Sequence, residues 1–312
     1  MMKYINRRDL LKGSATVVAS GVMAPAIASG TLNPHPEVSV LSKPMPSSGE
    51  LVPVVGIGTN RYRGGPEEET RAPLRNTLRA FAELGGRFID TAPSYGNSEA
   101  VLGELIAELG GDTNYLLATK CDTSGGKETQ EQMGQSARLL GAKTLDFMQI
   151  HNLRNWQQQL PVMREWKAEG HIRYCGITIW KGHQFDACAE VLRAEPLDTV
   201  QLNYSLLDRA AETELLPLAQ EKGVAVIANV PFARGRLFDA VKGLDLPEWA
   251  AEFDCYSWAQ FFLKYVVSHP AVTLAIPGTT KEKYARDNFG AAQGVLPDAA
   301  MRKRQEAFID NL

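Results

Sequence analysis

Cysteine is scarce in this sequence, four residues in 312, and none of Cys121, Cys175, Cys188 and Cys255 belongs to a C-x-x-C pair. That spacing excludes the common zinc and dithiol motifs, so no metal is expected. Long apolar runs are missing from the body of the chain: even Phe261 to Val267 is short and carries Lys264. A membrane-spanning helix needs roughly 20 such residues, so no stable span is expected. Neither charge sign dominates, with 33 basic against 36 acidic residues and a formal net charge of −3. The basic residues form no runs beside aromatics, which argues against a nucleic-acid surface. A small-molecule or protein partner fits better.

What is present begins with an unusual N-terminus. Asn6-Arg7-Arg8-Asp9-Leu10-Leu11-Lys12 precedes a mildly apolar stretch from Gly13 to Ile27, closing on Ala26-Ile27-Ala28. That is the layout of a signal peptide over residues 1–28. The arginine pair resembles a twin-arginine (Tat) signal, which implies engagement of the Tat export machinery, transit in the folded state and a periplasmic destination. Residues 29–50 include Pro34, Pro36, Pro44 and Pro46 without sustained periodicity, and read as a linker or irregular arm.

From residue 51 to 312 one unit repeats. A short apolar run, a loop and an amphipathic stretch of helical period follow one another. The apolar runs are 54–59, 87–92, 115–121, 145–151, 173–179, 199–204, 224–231 and 272–278, and the helical patterns between them include 70–84, 98–109, 130–140, 158–169, 186–194, 212–221 and 258–268. Strict alternation implies parallel strands with helical crossovers, and eight units in about 250 residues predict an α/β fold, a single-domain (β/α)₈ TIM barrel. Gly56-Ile57-Gly58 lacks the third glycine and the helix start of a dinucleotide fingerprint, and is read as a strand end.

In such a barrel the chemistry sits where strands open into the loops of the C-terminal face. Three successive runs end on charged or titratable side chains, Asp90, Lys120 and His151, and Tyr95 follows Asp90 in the Pro- and Gly-containing loop Thr91-Ala92-Pro93-Ser94-Tyr95-Gly96. An Asp and a Lys on adjacent strand ends can pair and avoid a bare buried charge. A neighbouring lysine would lower the phenol's usual value near 10 and tune Tyr95 as a proton donor, while His151 would hydrogen-bond a substrate oxygen. Cys121, next to Lys120, should face the other way and stay out of the chemistry.

These residues resemble the aldo-keto reductases, and the resemblance extends over nearly all of Leu51 to Ala292. Its most specific stretch is Asp90-Thr91-Ala92-Pro93-Ser94-Tyr95-Gly96-Asn97-Ser98-Glu99 with Leu102-Gly103. Ala118-Thr119-Lys120, Asp146 to Asn152, Val200 to Ser205 and Ile276-Pro277-Gly278-Thr279-Thr280 follow in order. The resemblance implies NADP(H)-dependent interconversion of an aldehyde or ketone with its alcohol, with Tyr95, Asp90, Lys120 and His151 as the catalytic set. It implies that Thr178 and Gln201 hold the nicotinamide carboxamide, and that Arg234, Gly235 and Arg236 cover the diphosphate. It places Gly278, Thr279, Lys281, Arg286 and Asn288 at the adenosine end, where cations favour NADP(H) over NAD(H). Trp180 and Phe232 would offer apolar surface to substrate or cofactor. Two positions depart from the family pattern: Ile179 where asparagine is common, and Asn229 where an aromatic often stacks on the nicotinamide. They motivate the rival expectation, an exported binding or sensor protein that kept the barrel without turnover.

Overall fold

The computed structural model describes residues 39–111 and 114–312; the expected signal peptide lies outside them. Eight parallel strands alternate with helices. They are β3 (Ile57–Gly58), β4 (Phe88–Asp90), β5 (Leu116–Cys121), β6 (Leu145–Ile150), β7 (Ile172–Thr178), β8 (Thr199–Asn203), β9 (Ala225–Asn229) and β10 (Val272–Ala275), neighbours in chain order. The intervening helices are α1 (Glu68–Glu83), α2 (Ser98–Glu108), α3 (Gly126–Leu140), α4 (Trp156–Ala168), α5 (Phe185–Ala194), α6 (Leu215–Lys222), the short α7 (Arg236–Ala240) and α8 (Trp258–Ser268).

The seam between first and last strand is nearly closed by backbone bonds. Gly56 N–H donates to Ala275 O at 2.8 Å, Ala275 N–H to Val54 O at 2.9 Å, and Gly58 N–H to Pro277 O at 3.2 Å. A Cβ at Gly56 would stand 2.8 Å from Phe88 O, so this glycine serves close strand approach at the seam.

Side-chain alternation along each strand divides the core in two. One set of apolar residues, including Ile89, Cys121, Met148, Ile150, Ile177, Val200, Leu202, Val226 and Ala275, packs outward against the helices. The other, Phe88, Leu116, Ala118, Phe147, Tyr174, Ala225, Ile227, Leu274 and Ile276, fills the barrel interior. There Phe88 meets Phe147 edge-on with centroids 4.9 Å apart, and Phe147 stacks on Tyr174 at 4.7 Å. The next inward positions up the strands are polar: Asp90, Lys120, Gln149, Thr178, Gln201 and Asn229, all buried. An apolar floor thus supports a polar tier at the C-terminal mouth.

Two parts of the chain differ from the sequence reading. Within the stretch read as an irregular arm, β1 (Ser42–Pro44) pairs antiparallel with β2 (Leu51–Pro53). Met45 and Val52 of this hairpin are buried with the interior residues at the floor of the barrel, and Lys43 Nζ donates to His269 O and Val272 O at 2.9 and 2.6 Å. Prolines hid it, because a two-stranded edge tolerates proline where a central strand does not. After β10, α9 (Glu282–Phe289) and α10 (Ala299–Asp310) follow. The tail packs α10 on α8, with Gln305 Nε2 donating to Phe261 O at 2.9 Å. The long loop before α8 is anchored by Lys264, fully buried, whose ammonium donates to the carbonyls of Phe253, Gln293 and Val295 at 2.7 to 2.9 Å.

Candidate active site

Asp90 ends β4 and Lys120 lies one residue from the end of β5, both with their side chains turned inward. Lys120 Nζ donates to Asp90 Oδ2 and to Thr91 O, each at 2.7 Å. The two residues are 1% and 2% exposed, so neither charge would be tolerated without the other. Burial by itself would lower the lysine's pKa, but Asp90 and the Tyr95 hydroxyl more than offset it and the net shift is upward. Lys120 is therefore a permanent cation.

Tyr95 closes a single 3₁₀ turn, Pro93–Tyr95, started by the fixed φ of Pro93. Gly96 at φ 72° then turns the chain into α2. The turn lays the half-buried Tyr95 ring over Lys120, with the ammonium 5.0 Å from the ring centroid. Burial raises the phenol's pKa and Asp90 adds to that, outweighing the opposing pull of Lys120. This corrects the expectation of a lowered value: in this state Tyr95 is held firmly protonated.

His151 follows β6 and faces Tyr95 edge-on at 6.1 Å between centroids. Burial first, then the Lys120 charge, push its pKa from 6.5 down to about 4, against the weaker pull of Asp122 and Asp90. The imidazole is thus neutral at ordinary pH. Its Nδ1 stands 3.3 Å from Ser94 Oγ, and Asp122 Oδ2 is farther, at 4.0 Å. A serine hydroxyl donating to Nδ1 leaves the proton on Nε2, which can then donate to a ligand.

A depressed histidine pKa carries a stability consequence. Between about 4 and 6.5 the unfolded chain binds a proton that folded His151 refuses, so stability falls as pH drops through that window and is fully recovered above it. His269, also lowered to about 4 by burial and by Arg302, acts in the same sense. The expected loss from His151 is on the order of 2–3 kcal/mol at the acid end. Urea midpoints from pH 7 to 4 should show it, and His151→Gln should flatten the slope; an unchanged slope would contradict the buried, neutral state.

From the sequence Gln201 is expected as a cofactor contact, but neither its bond to Asp90 nor the presence of Gln149 at the site. Gln201 Nε2 donates to Asp90 Oδ1 at 2.8 Å, while Gln149 Nε2 stands 3.5 Å from the same oxygen, a long contact. The signal for Gln149 was available: it is two residues before His151 and in phase with the barrel interior. Glu99, quoted as part of the motif, lies on the helical side, where its carboxylate accepts from Thr119 Oγ1 at 2.6 Å and locks α2 to β5. Cys121 packs outward, its Sγ 3.6 Å from Met163 Sδ. All four cysteines are buried and unpaired.

The other expected contacts ring the mouth. Thr178 is buried at the end of β7. Two cations approach the Trp180 ring, Lys181 Nζ at 4.6 Å and the Arg234 guanidinium at 5.2 Å from its centroid. Phe232 packs on Phe238 and Phe262, with centroids at 4.9 and 6.5 Å, and so shares in the apolar packing. The loop after β9 is strained: Val230, Ala233, Arg234 and Gly235 have φ of 51°, 48°, 59° and 98°, unfavourable for the first three and above all for β-branched Val230. Arg236 pairs with Asp208. Arg286 is held by Glu83 and Glu282, both at 2.9 Å, whereas Lys281 and Lys283 flank Tyr284 at 5.7 and 4.9 Å. Asn288 and Thr279 line a small crevice with Ile57 and Pro277. Among the described residues no group of three or more His, Cys, Asp or Glu could hold a metal, and no helix is long and apolar enough to cross a membrane.

Comparison with known proteins gives concordant matches. The model of the aldo/keto reductase family matches residues 54–308. An NADH-specific methylglyoxal reductase of Escherichia coli is 27% identical, the match spanning 81% of this chain and 94% of that protein. A second E. coli protein, a methylglyoxal reductase, is also 27% identical, over 84% and 93% of the two chains. Among solved structures, an aldo/keto reductase from Klebsiella pneumoniae in complex with NADP and acetate superposes with a TM-score of 0.70 at 26% identity, over 84% of this chain and 93% of that one.

Proposed function

This chain belongs to the aldo/keto reductase family, and from that membership we propose that it reduces an aldehyde or ketone to its alcohol, or runs the reverse, with Tyr95 as proton donor. The observation that carries the reading is the buried Lys120 and Asp90 pair directly beneath Tyr95, with neutral His151 beside it. A bound nicotinamide nucleotide would supply the hydride. His151 Nε2 donates to the carbonyl oxygen and stabilises the charge that gathers there. Tyr95 gives its phenolic proton to the same oxygen, the Lys120 cation stabilises the negative charge left on the phenolate, and Asp90 holds Lys120 in place.

The residues fit a nicotinamide nucleotide. The strained Val230 to Gly235 loop turns its backbone to the left-handed region at the mouth, the kind of conformation that aims N–H groups at an anion. Arg234 has no carboxylate partner among the described residues, and Asn203 Oδ1 is buried without a partner. Thr178 and Gln201 would border the nicotinamide, Arg234, Gly235 and Arg236 the diphosphate, and Gly278, Thr279, Lys281, Arg286 and Asn288 the adenosine end. With Arg286 engaged by two carboxylates, Lys281 and Lys283 are left to meet a 2′-phosphate, which supports NADP(H). The Klebsiella relative holds NADP and one E. coli relative is NADH-specific, so NAD(H) is the alternative.

Titration of the protein from residue 29 with NADPH and NADH, followed by tryptophan fluorescence, tests the reading. Binding in the micromolar range or tighter, stronger for NADPH, is expected; binding of neither nucleotide would overturn it in favour of a barrel without turnover. The proposed export rests on Arg7 and Arg8. Replacing both by lysine should retain the protein in the cytoplasm, and undiminished export would remove the Tat proposal.

A further inference from the structure

Strand register sets Asp122 and His151 side by side. β5 and β6 pair with Lys120 opposite Gln149 and Cys121 opposite Ile150, so the next residues upward are Asp122 and His151. Both continue the inward phase of Lys120 and Gln149. A carboxylate so placed would ordinarily take the Nδ1 proton of the imidazole. Here it does not: Asp122 Oδ2 is 4.0 Å from Nδ1, and the Ser94 hydroxyl is nearer, at 3.3 Å.

Arg154 draws the carboxylate aside, its Nη1 donating to Asp122 Oδ1 at 2.9 Å. The backbone is bent to bring it there. Arg154 N–H donates to His151 O at 3.2 Å, and the curl between them runs through Asn152 and Leu153 at φ 57° and 58°, with Asn155 following at 46°. Left-handed backbone is unfavourable for leucine. Asn155 Nδ2 donates to Thr123 O at 2.9 Å, which fastens the curl to the loop carrying Asp122. On the same loop the Asp122 N–H donates to Gln132 Oε1 at 2.8 Å.

We propose that Arg154 is a positioning residue for His151: by holding Asp122 away from Nδ1 it leaves that nitrogen to Ser94 and keeps the imidazole proton on Nε2, available to the carbonyl oxygen. The inference rests on the reductase reading above and adds to it a device that selects the tautomer. The left-handed residues after His151 then have a function, since they return Arg154 to Asp122.

The charged groups facing His151 are Lys120 on β5, Asp122 just after it and Asp90 on β4, with Tyr95 edge-on from the turn after β4. The loop after β7 presents uncharged Gln184 to this turn, with Nε2 3.5 Å from Asn152 O, while Lys181 lies against Trp180. Asp122 favours the imidazolium and Lys120 opposes it. Freed from Arg154, Asp122 can close on Nδ1. At neutral pH the imidazole then keeps its proton on Nδ1, and Nε2 offers a lone pair where the carbonyl oxygen needs a donor. In acid both nitrogens are protonated and the donor returns.

The deciding experiment compares Arg154→Met with the double variant Asp122→Asn, Arg154→Met. His151 is titrated in nucleotide-free protein by NMR of ¹⁵N-labelled histidine, which reads tautomer as well as pKa, with His151→Gln as the blank. On any carbonyl turned over, kcat and KM are measured against pH. In Arg154→Met the His151 titration should move up by about one to two pH units and Nδ1 should become the protonated nitrogen, the effect of one charge-assisted hydrogen bond. At neutral pH kcat should fall about tenfold, and the deficit should shrink as pH is lowered through the new titration. The double variant should restore the parent titration and most of the lost rate, because an amide beside Nδ1 can donate to it and carries no charge. An unmoved titration and tautomer in Arg154→Met would overturn the proposal. So would a shift that persists in the double variant, or one that leaves the pH profile of kcat unchanged. The Arg154 and Asp122 side chains are 63% and 26% exposed, so the variants should fold; Arg154→Gln serves the same comparison if Arg154→Met does not. If the parent protein turns over no carbonyl, the reductase reading fails, while the NMR titration still decides whether Arg154 holds Asp122 off His151.

Discussion

Tyr95→Phe should lower carbonyl reduction by a factor of about 10²–10⁴, the usual contribution of a positioned general acid, with NADPH binding unchanged. The substitution removes one oxygen and keeps the ring that covers Lys120. The Asp90 and Lys120 pair remains closed by its 2.7 Å bond, so no buried charge is exposed and the melting temperature should move little. Steady-state rates together with a nucleotide titration separate the outcomes. A variant with full rate would dismiss Tyr95 as donor; one that loses nucleotide affinity equally would show that the ring matters for binding instead.

The second large effect falls on stability. Lys120→Met leaves Asp90 as a bare carboxylate inside the barrel, with only the amide bonds at Oδ1. Removing one partner of a buried ion pair costs about 3–5 kcal/mol. In a domain of this size, that is a fall of roughly 6–20 °C in melting temperature. The loss should be relieved as pH falls, because the stranded carboxyl takes up a proton in the folded state more readily than in the unfolded one. Asp90→Asn with Lys120→Met should be more stable than Lys120→Met alone, and calorimetry across the double-mutant cycle gives the coupling. Additive losses would mean that the pair is not the electrostatic unit its geometry implies. Turnover should be absent from every member of the cycle except the parent.

The barrel was legible in the sequence because its signal is periodic and redundant. Eight apolar runs separated by amphipathic stretches leave little freedom of topology, and the expected helix at 258–268 coincides with α8. The hairpin of β1 and β2 was hidden because three-residue strands carrying Pro44 and Pro53 show no alternation. The positions of Asp90, Lys120 and His151 could be read because each falls at or near the end of an apolar run on the barrel's inward phase, which is a local property. The tie from Gln201 to Asp90 could not, since it depends on which strands oppose one another across the lumen, and no local pattern encodes that. The direction of the Tyr95 shift was misjudged for a related reason. The sequence names the lysine that lowers the pKa, but only the packed structure reveals the burial that raises it further.

The most direct test of the reductase reading is transfer of deuterium from NADPH labelled at the transferable nicotinamide position, with a panel of small aldehydes and ketones and the product analysed by mass spectrometry. Over many turnovers at least one alcohol should carry the label on its former carbonyl carbon, and Tyr95→Phe should form almost none of it. Tight NADPH binding with no label in any product, or equal labelling by Tyr95→Phe, would contradict it.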